Sequence, residues 1–360
     1  KKGELCTKLS KVRFVSYKIT MTIKELPKVE LHLHLDGSIN PQLAYQLALK
    51  DQLIDANENY DTFVTKMVAP RNIDHLWQFL KCFDLPIAIM QSKENIQATT
   101  QDLLEQLIRD HVVYAEIRYA PGQHIASGLS LSDVMDTVVN VVAEFNKIQS
   151  NCKVGIIHCL MIDSSLQNDN INWDVVNLTA NYLDKGVVGI DLAGPEGAVN
   201  MEYYEPFFAL ANKLNIPFTI HAGEVGPASN VAIALRYGAK RIGHGGNCIL
   251  DDKVVEMVKA NDALLEMCLS SNVQCKNQPS YKDHPLKPLL QKGVKCCLNC
   301  DNRTLTNISL TDEYQHAMDD LDLTMHDLIQ MNIYALQHAF MDNDYTKDLI
   351  KQFTALLDNN

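Results

Sequence analysis

The amino-acid sequence predicts an α/β fold, namely a closed (β/α)8 barrel with additional helices between its first and second strands. Short β-branched runs alternate with longer amphipathic stretches, which is typical of a parallel sheet. Eight such runs favour a closed barrel. A doubly wound open sheet is the alternative, but it usually carries a Gly-rich turn after its first strand, and this sequence has none there.

The β-branched runs define the predicted strands and their order. They cover residues 29–34, 113–118, 153–160, 186–191, 217–221, 241–244, 263–267 and 294–299. The stretches between them, such as 131–149 and 200–214, have the apolar spacing of amphipathic helices. Each strand is therefore expected to be followed by a helix that crosses over to the next parallel strand.

The long segment 41–92, between the first two strands, has the pattern of several helices. It carries Trp77, Phe79 and Phe83 at helical spacing. These aromatic side chains form either an apolar lid over a binding site or an ordinary part of the core. Periodicity alone leaves both interpretations open.

The N-terminal residues 1–20 differ from the rest of the chain. They are basic, begin without Met and contain no long apolar run, so they do not resemble a secretory signal. Met21 is followed by "TIKELPKVELHLH", which resembles a natural start. We expect residues 1–20 to be a non-native extension and residues 21–360 to form a single TIM-barrel domain.

Composition excludes several classes of partner. The chain has 32 Lys and Arg residues against 44 Asp and Glu residues, a net charge of −12, and no basic stripe. Nucleic acids and anionic membranes are therefore not expected partners. No run approaches the roughly 18 apolar residues of a membrane span. The 10 scattered cysteines form no disulfide framework, so we expect free thiols and a cytoplasmic location.

The segment "VELHLHLDGS" places two histidines in an alternating apolar strand. His32 and His34 alternate with leucines, and residues two apart in a strand point to the same face. Both imidazoles are therefore expected to point to one place, while the leucines fill the opposite face.

Other polar residues also stand at predicted strand ends. His221 ends the fifth strand, His244 ends the sixth, and Asp301 follows the eighth. Active sites of barrels lie at the C-terminal ends of the strands and draw residues from several of them. Any one histidine would more often be a hydrogen-bonded core residue, but together these residues predict a metal site. Three imidazoles and one carboxylate suit Zn²⁺, with room for a water.

Seven sequence blocks, in order, resemble those of the adenosine deaminase family within the metal-dependent amidohydrolase superfamily. The blocks are "VELHLHLDGS", "YAEIRYAP", "GIDLAGPE", "FTIHAGE", "RIGHG", "EMCLSSN" and "NCDN". The resemblance implies one zinc ion per chain. It implies the following roles: His32, His34, His221 and Asp301 as zinc ligands, Glu224 as proton donor, His244 as the group orienting the water at the metal, and Asp36 and Gly194 in the nucleoside pocket.

The implied activity is hydrolytic deamination of adenosine, and of 2′-deoxyadenosine, in purine salvage. This reaction needs a strong nucleophile at C6 of the purine and a proton at N1. Glu224 suits the second role if a dry pocket raises its pKa. A cationic His244 would stabilise negative charge, whereas a neutral one could act as a base. The sequence leaves both open.

The purine side of the pocket departs from the family pattern at one position. Many relatives have two consecutive aspartates after the eighth strand, whereas this chain has Asp301 and then Asn302. The second aspartate contacts N7 of the purine, an acceptor, and the amide of Asn302 can always donate. We therefore expect Asn302 to bind the base, with Phe79 and Phe83 as further substrate-contacting residues.

Three other functions remain as alternatives. An adenine deaminase of the same family more often has Glu at the position of Asp36, and a nucleotide deaminase needs basic residues for phosphate. A catalytically silent purine-binding scaffold is disfavoured because all the implied zinc ligands are present, together with Glu224 and His244.

Overall fold

The computed structural model describes residues 21–70, 73 and 76–359. The predicted N-terminal extension, residues 1–20, lies outside this range. The described residues form eight strands: β1 Lys28–His34, β2 Val112–Tyr119, β3 Lys153–Met161, β4 Val187–Ala193, β5 Thr219–Ala222, β6 Arg241–His244, β7 Leu264–Met267 and β8 Lys295–Leu298. Each lies within about two residues of its predicted bounds.

Helices connect these strands. Those before β3 are α1 Pro41–Lys50, α2 Tyr60–Met67, α3 Leu76–Leu80, α4 Asp84–Ile89, α5 Lys93–Arg109 and α6 Leu131–Ile148. Those from β3 to β7 are α7 Asp169–Thr179, α8 Glu205–Lys213, α9 Ala228–Tyr237 and α10 Asp252–Ala260. The remaining ones are α11 Leu269–Gln274, α12 Leu286–Gln291, α13 Arg303–Thr306, α14 Leu310–Asp319, α15 Met325–Gln337 and α16 Asp344–Asn359.

The strands close into a ring. β1 to β4 pair in order, β5 to β8 pair in order, and every pair is parallel. Two isolated parallel bridges join the halves, one between Leu33 and Asp301 and one between Ile190 and Phe218. Across the first, the backbone N–H of His34 donates to the carbonyl oxygen of Asp301 at 2.8 Å. The predicted barrel is confirmed, and the open sheet is wrong.

The fifth strand begins later than predicted, at Thr219 instead of residue 217. Pro217 has no N–H group and cannot donate to a neighbouring strand. Its carbonyl oxygen nevertheless accepts the N–H of Ile190 at 2.9 Å. The sequence pattern therefore identifies the strand correctly but places its start two residues early.

The apolar core lies between the strands and the surrounding helices, whereas charged side chains fill part of the barrel interior. Arg118 and Arg241 are fully buried there and pair with Glu116, Glu266 and Asp191. Barrel interiors are usually packed with branched apolar residues. Because buried charges need close partners, this network requires every one of its members to be in place.

The predicted helices between β1 and β2 are present as α1 to α5. Asn40 caps α1, and Pro41 occupies the first helical position, where a missing N–H costs nothing. Phe79 belongs to a small apolar cluster separate from the main core, and Phe83 packs against that cluster. Both residues also line the cavity at the barrel mouth, so they do not form an ordinary part of the main core. The side chain of Trp77 lies outside the described residues.

Two properties expected from composition can be compared with the structure. Within the described part of the chain, no helix combines the length and apolarity needed to cross a membrane. The nine described cysteines are free and buried, which confirms the prediction of free thiols: Cys82, Cys152, Cys159, Cys248, Cys268, Cys275, Cys296, Cys297 and Cys300.

Candidate metal centre and catalytic pocket

The C-terminal edge of the barrel brings four potential metal ligands together. His32 and His34 come from β1, His221 from β5, and Asp301 directly follows β8. Their ligand atoms all lie within 4.8 Å of one another, and all four residues are buried. The Nε2 atoms of His32 and His34 are each 3.4 Å from Oδ1 of Asp301. The residues predicted to bind metal therefore form one cluster.

Two residues of the site have left-handed backbone conformations. Asp301 has a φ of +61° and His244 a φ of +59°. Residues with a side chain rarely adopt this region, and such conformations concentrate at functional sites. At Asp301, this conformation accompanies backbone pairing with β1, while the carboxylate lies among the imidazoles.

Carboxylates behind two of the imidazoles fix their orientation. Nδ1 of His32 lies 2.9 Å from Glu266, and Nδ1 of His221 lies 3.0 Å from Asp191. Arg118 holds both carboxylates, at 2.9 Å from Asp191 and 2.8 Å from Glu266. Because each Nδ1 faces a carboxylate, each Nε2 remains available for a metal. The charges inside the barrel thus support the cluster at its edge.

The cluster fits a bound metal ion. Nε2 of His32 is buried and makes no hydrogen bond to any described residue, which is costly unless another partner completes it. Ser271 donates to Oδ2 of Asp301 at 2.6 Å, which leaves Oδ1 facing the imidazoles. Imidazole nitrogens with one carboxylate oxygen are a typical ligand set for a divalent transition metal.

Glu224 follows β5 and turns a buried carboxyl group into the cavity. Its Oε2 lies 3.6 Å from Nε2 of His244, and its Oε1 accepts the amide of Asn277 at 3.1 Å. Burial, reinforced by the negative charge of Asp301, raises the pKa of Glu224 to about 8. This shift favours the protonated carboxyl group of Glu224 near neutral pH.

The loop that carries Glu224 is organised by a second glutamate. Oε1 of Glu196 accepts the N–H of Gly223 at 2.7 Å and the side chain of Asn230 at 2.8 Å. Oε2 accepts the N–H groups of Glu224, Val225 and Gly226, each at 2.9 Å. Glu196 was not among the predicted site residues, although it ends the block "GIDLAGPE".

His244 ends β6 beside the cluster. Its Nδ1 lies 3.1 Å from the amide nitrogen of Asn272. Burial holds the pKa of His244 well below its ordinary range, which favours the neutral imidazole. Asn272 was also absent from the predicted site residues, although it ends the block "EMCLSSN".

A cavity of about 300 Å³ opens beside these groups. Its size is at the lower end of the usual range for small-molecule sites. The cavity brings together ten of the predicted site residues: His34, Asp36, Phe79, Phe83, Gly194, His221, Glu224, His244, Asp301 and Asn302. His32 lies behind this wall within the ligand cluster, so the structure joins all of them in one site.

Asp36 is a buried acceptor in the cavity wall. Among the described residues, its Oδ1 has no hydrogen-bond partner, and the other carboxylate oxygen lies 3.8 Å from Nε2 of His124. Burial raises the pKa of Asp36 to about 7. A ligand that offers a hydroxyl group would complete this carboxylate.

Two glycines give the cavity its shape. A Cβ atom at position 37 would lie 1.9 Å from Oδ1 of Asn302, so Gly37 lets the Asn302 side chain lie directly over the backbone. Gly194 has a φ of +112°, a conformation that favours glycine, and an added Cβ would come within 3.1 Å of the carbonyl oxygen of Ile162. Gly194 thus brings the backbone itself to the cavity wall.

Similarity to known proteins covers almost the whole described chain. A model of the adenosine deaminase family matches residues 27–356. The chain is 37% identical over 339 residues to an adenosine deaminase of Clostridium acetobutylicum, covering 92% of this chain and 99% of that protein.

Solved structures show the same fold. An adenine deaminase from Arthrobacter aurescens superposes with a TM-score of 0.84 at 24% identity, covering 92% of this chain and 99% of that one. The N6-methyl-AMP deaminase of Arabidopsis thaliana superposes with a TM-score of 0.80 at 24% identity, covering 94% of this chain and 99% of that one. With its barrel, its ligand cluster and a family match that extends over most of its length, this chain belongs to the adenosine deaminase family.

Proposed function

We propose that this protein catalyses the zinc-dependent hydrolytic deamination of adenosine to inosine and ammonia, and of 2′-deoxyadenosine to deoxyinosine, as a cytoplasmic step of purine salvage. One observation carries the proposal. A cluster of three imidazoles and one carboxylate lies beside a cavity that also holds Glu224, whose pKa is raised, and Asp36, whose Oδ1 has no hydrogen-bond partner among the described residues.

Zinc would be held by His32, His34, His221 and Asp301. When bound, zinc supplies Lewis-acid chemistry that makes water a competent nucleophile near neutral pH. The support from this chain is Nε2 of His32, which makes no hydrogen bond to any described residue, together with the carboxylates that orient His32 and His221. Such oriented imidazoles are typical of metal sites.

Glu224 would deliver the proton that the purine ring requires. Addition of oxygen at C6 disrupts the aromatic ring and builds negative charge on N1 unless an acid protonates it. The pKa of Glu224, raised to about 8 by burial, keeps the carboxyl group protonated and able to donate at neutral pH. Glu196 would hold the loop that aims it.

The remaining wall would bind the nucleoside. Oδ1 of Asp36 would accept a hydrogen bond from a ribose hydroxyl, and the amide of Asn302 would donate to N7 of the base. Phe79 and Phe83 would cover the base and exclude water. Gly194 would contribute the close approach of its backbone.

The alternatives predict other substrates. Free adenine has no sugar, so it would leave the buried oxygen of Asp36 unpaired. AMP would bring a phosphate toward this carboxylate, and none of the described residues that line the cavity is lysine or arginine. A catalytically silent scaffold would not require a carboxyl group with a raised pKa beside the metal-ligand cluster.

An ultraviolet assay with four substrates tests the proposal. Adenosine and 2′-deoxyadenosine should be deaminated with kcat/KM values at least about a hundredfold above those of adenine and AMP. Metal analysis of the same sample should give one zinc per chain. A higher kcat/KM for adenine or AMP would show that one of these, and not adenosine, is the substrate. If the zinc-loaded protein turned over none of the four purines, the catalytically silent scaffold would be favoured.

A further inference from the structure

A chain of hydrogen bonds reaches His244 from behind the cavity. The backbone N–H of Leu286 donates to Nδ1 of His284 at 3.2 Å. Nε2 of His284 lies 3.0 Å from Oδ1 of Asn272, and the amide nitrogen of Asn272 lies 3.1 Å from Nδ1 of His244. His284, Asn272 and His244 are 1%, 4% and 1% exposed. Solvent therefore has little access to this hydrogen-bond relay, which runs from His284 through Asn272 to His244.

The donors and acceptors of these three hydrogen bonds can be assigned in only one consistent way. A backbone N–H can only donate, so Nδ1 of His284 must accept and carries no proton. The proton of neutral His284 is then on Nε2, which donates to Oδ1 of Asn272. With its oxygen accepting, Asn272 directs its NH2 group at Nδ1 of His244. Nδ1 of His244 is therefore an acceptor as well, and the proton of neutral His244 must be on Nε2.

Burial supports the neutral form of His284. It lowers the pKa of His284 to about 3. An imidazolium at either position would also lose a hydrogen bond, because a protonated Nδ1 cannot accept the N–H that faces it.

We propose that His284 and Asn272 are positioning residues that hold His244 in the tautomer with its proton on Nε2, so that His244 donates a hydrogen bond into the site instead of acting as a base there. The proposal rests on the proposed function. Nε2 of His244 lies 3.6 Å from Oε2 of Glu224 and faces the cavity. At that place, the N–H group at Nε2 of His244 would donate to a lone pair of the oxygen nucleophile. This hydrogen bond would orient the nucleophile and stabilise its negative charge.

Asn272→Asp is the most specific test in the relay. A carboxylate matches the amide in size but only accepts, so it would draw the proton of His244 to Nδ1 and remove the donor from the site. We expect kcat for adenosine to fall at least about 10-fold, because a wrong tautomer in a catalytic group is costly while substrate contacts are unchanged. KM should stay within about threefold, and the zinc content should not change.

Two variants at position 284 separate positioning from packing. In His284→Gln, the amide can still donate to Oδ1 of Asn272, so most of kcat should be retained. In His284→Leu, the amide of Asn272 is free to rotate and present its oxygen, and kcat should fall. Equal kcat values in the two variants would contradict the proposal that His284 positions His244 through Asn272.

Asn332→Asp is the matched control. Asn332 is 1% exposed, donates to the carbonyl oxygen of Leu328 and accepts the N–H of Val29 near the start of β1. The Asn332→Asp variant therefore loses the same kind of buried amide donor, at a position that does not line the cavity. Its Tm should fall while kcat stays within about twofold of wild type.

The tautomer itself can be read by ¹⁵N NMR of histidine-labelled holoenzyme, with His244→Gln for assignment. We expect a protonated Nε2 and an unprotonated Nδ1 for His244 in the wild type, and a protonated Nδ1 in Asn272→Asp. A protonated Nδ1 in the wild type would overturn the proposal. Because this measurement needs no substrate, failure to deaminate adenosine would refute the proposed function without affecting the tautomer result.

Discussion

Oε2 of Glu196 accepts the backbone N–H of Glu224 at 2.9 Å, so one buried glutamate holds the loop that presents the other. The same oxygen also accepts the N–H groups of Val225 and Gly226, and Oε1 accepts that of Gly223. A carboxylate that accepts four consecutive backbone N–H groups fixes the path of the loop. The aim of the proton donor therefore depends on Glu196 as well as on the barrel.

Replacing Glu196 by Gln should lower kcat about 10- to 100-fold. The NH2 group of the new side chain would face N–H groups that need an acceptor, and leaving buried donors unsatisfied costs about 1–3 kcal/mol. The loop should shift, and Glu224 should lose its alignment. Steady-state kinetics with adenosine measure the effect.

Asp163→Asn is the control for that variant. Asp163 also accepts several backbone N–H groups of its own loop, those of Ser165, Gln167 and Asn168, but it does not touch Glu224. Its kcat should stay within about twofold of wild type. Equal losses in both variants would show that general loosening of the barrel mouth, not the aim of Glu224, limits the rate.

Glu224→Gln should abolish proton delivery while keeping the shape of the site. The new side chain can still accept the amide of Asn277, as Oε1 of Glu224 does at 3.1 Å. We expect kcat to fall about 100-fold or more with zinc still bound at one per chain. An unchanged kcat would remove Glu224 from the mechanism, and loss of zinc would assign it a structural role.

Asp36→Ala should discriminate between nucleoside and free base. Charge-assisted hydrogen bonds contribute roughly 1.5–3 kcal/mol, so kcat/KM for adenosine should fall about 10- to 100-fold. Adenine makes no such bond, and its slow rate should barely change. Parallel falls for both substrates together with a lower Tm would show that Asp36 only shapes the turn before Asn40.

Much of the site follows from the sequence because strand periodicity and barrel topology act together. The alternation around His32 and His34 fixes the face of β1, and the ring of strands brings His221 and Asp301 to the same edge. Neither step requires knowledge of side-chain contacts. These two steps predict where the histidines and Asp301 meet, whereas the exclusion of His244 from the ligand set follows only from the family resemblance.

The residues that position the catalytic groups could not be found in this way. Glu196 precedes Glu224 by 28 residues, and Asn272 follows His244 by 28. Their partners are set by the paths of loops, which no periodic pattern encodes. His284 acts through Asn272 and does not reach the cavity wall, so a search for polar residues at strand ends omits it.

The charged barrel interior was also missed, for a different reason. Arg118 and Arg241 would usually indicate solvent-exposed positions in a strand. Their burial follows only when the ring closes and Glu266 meets both of them. The fold was predictable from apolar spacing, whereas the ion pairs inside it depend on the register between strands.

The most direct test of the account is a zinc titration of metal-depleted protein, with adenosine turnover and bound zinc measured on the same samples. We predict that activity is lost with the metal and rises in proportion to bound zinc up to one ion per chain. His221→Ala should bind zinc more weakly and remain inactive, because it removes one of the four predicted ligands and the carboxylate-oriented imidazole that the site presents to the ion. Full turnover of adenosine by zinc-free protein, or full zinc occupancy in His221→Ala, would contradict the account.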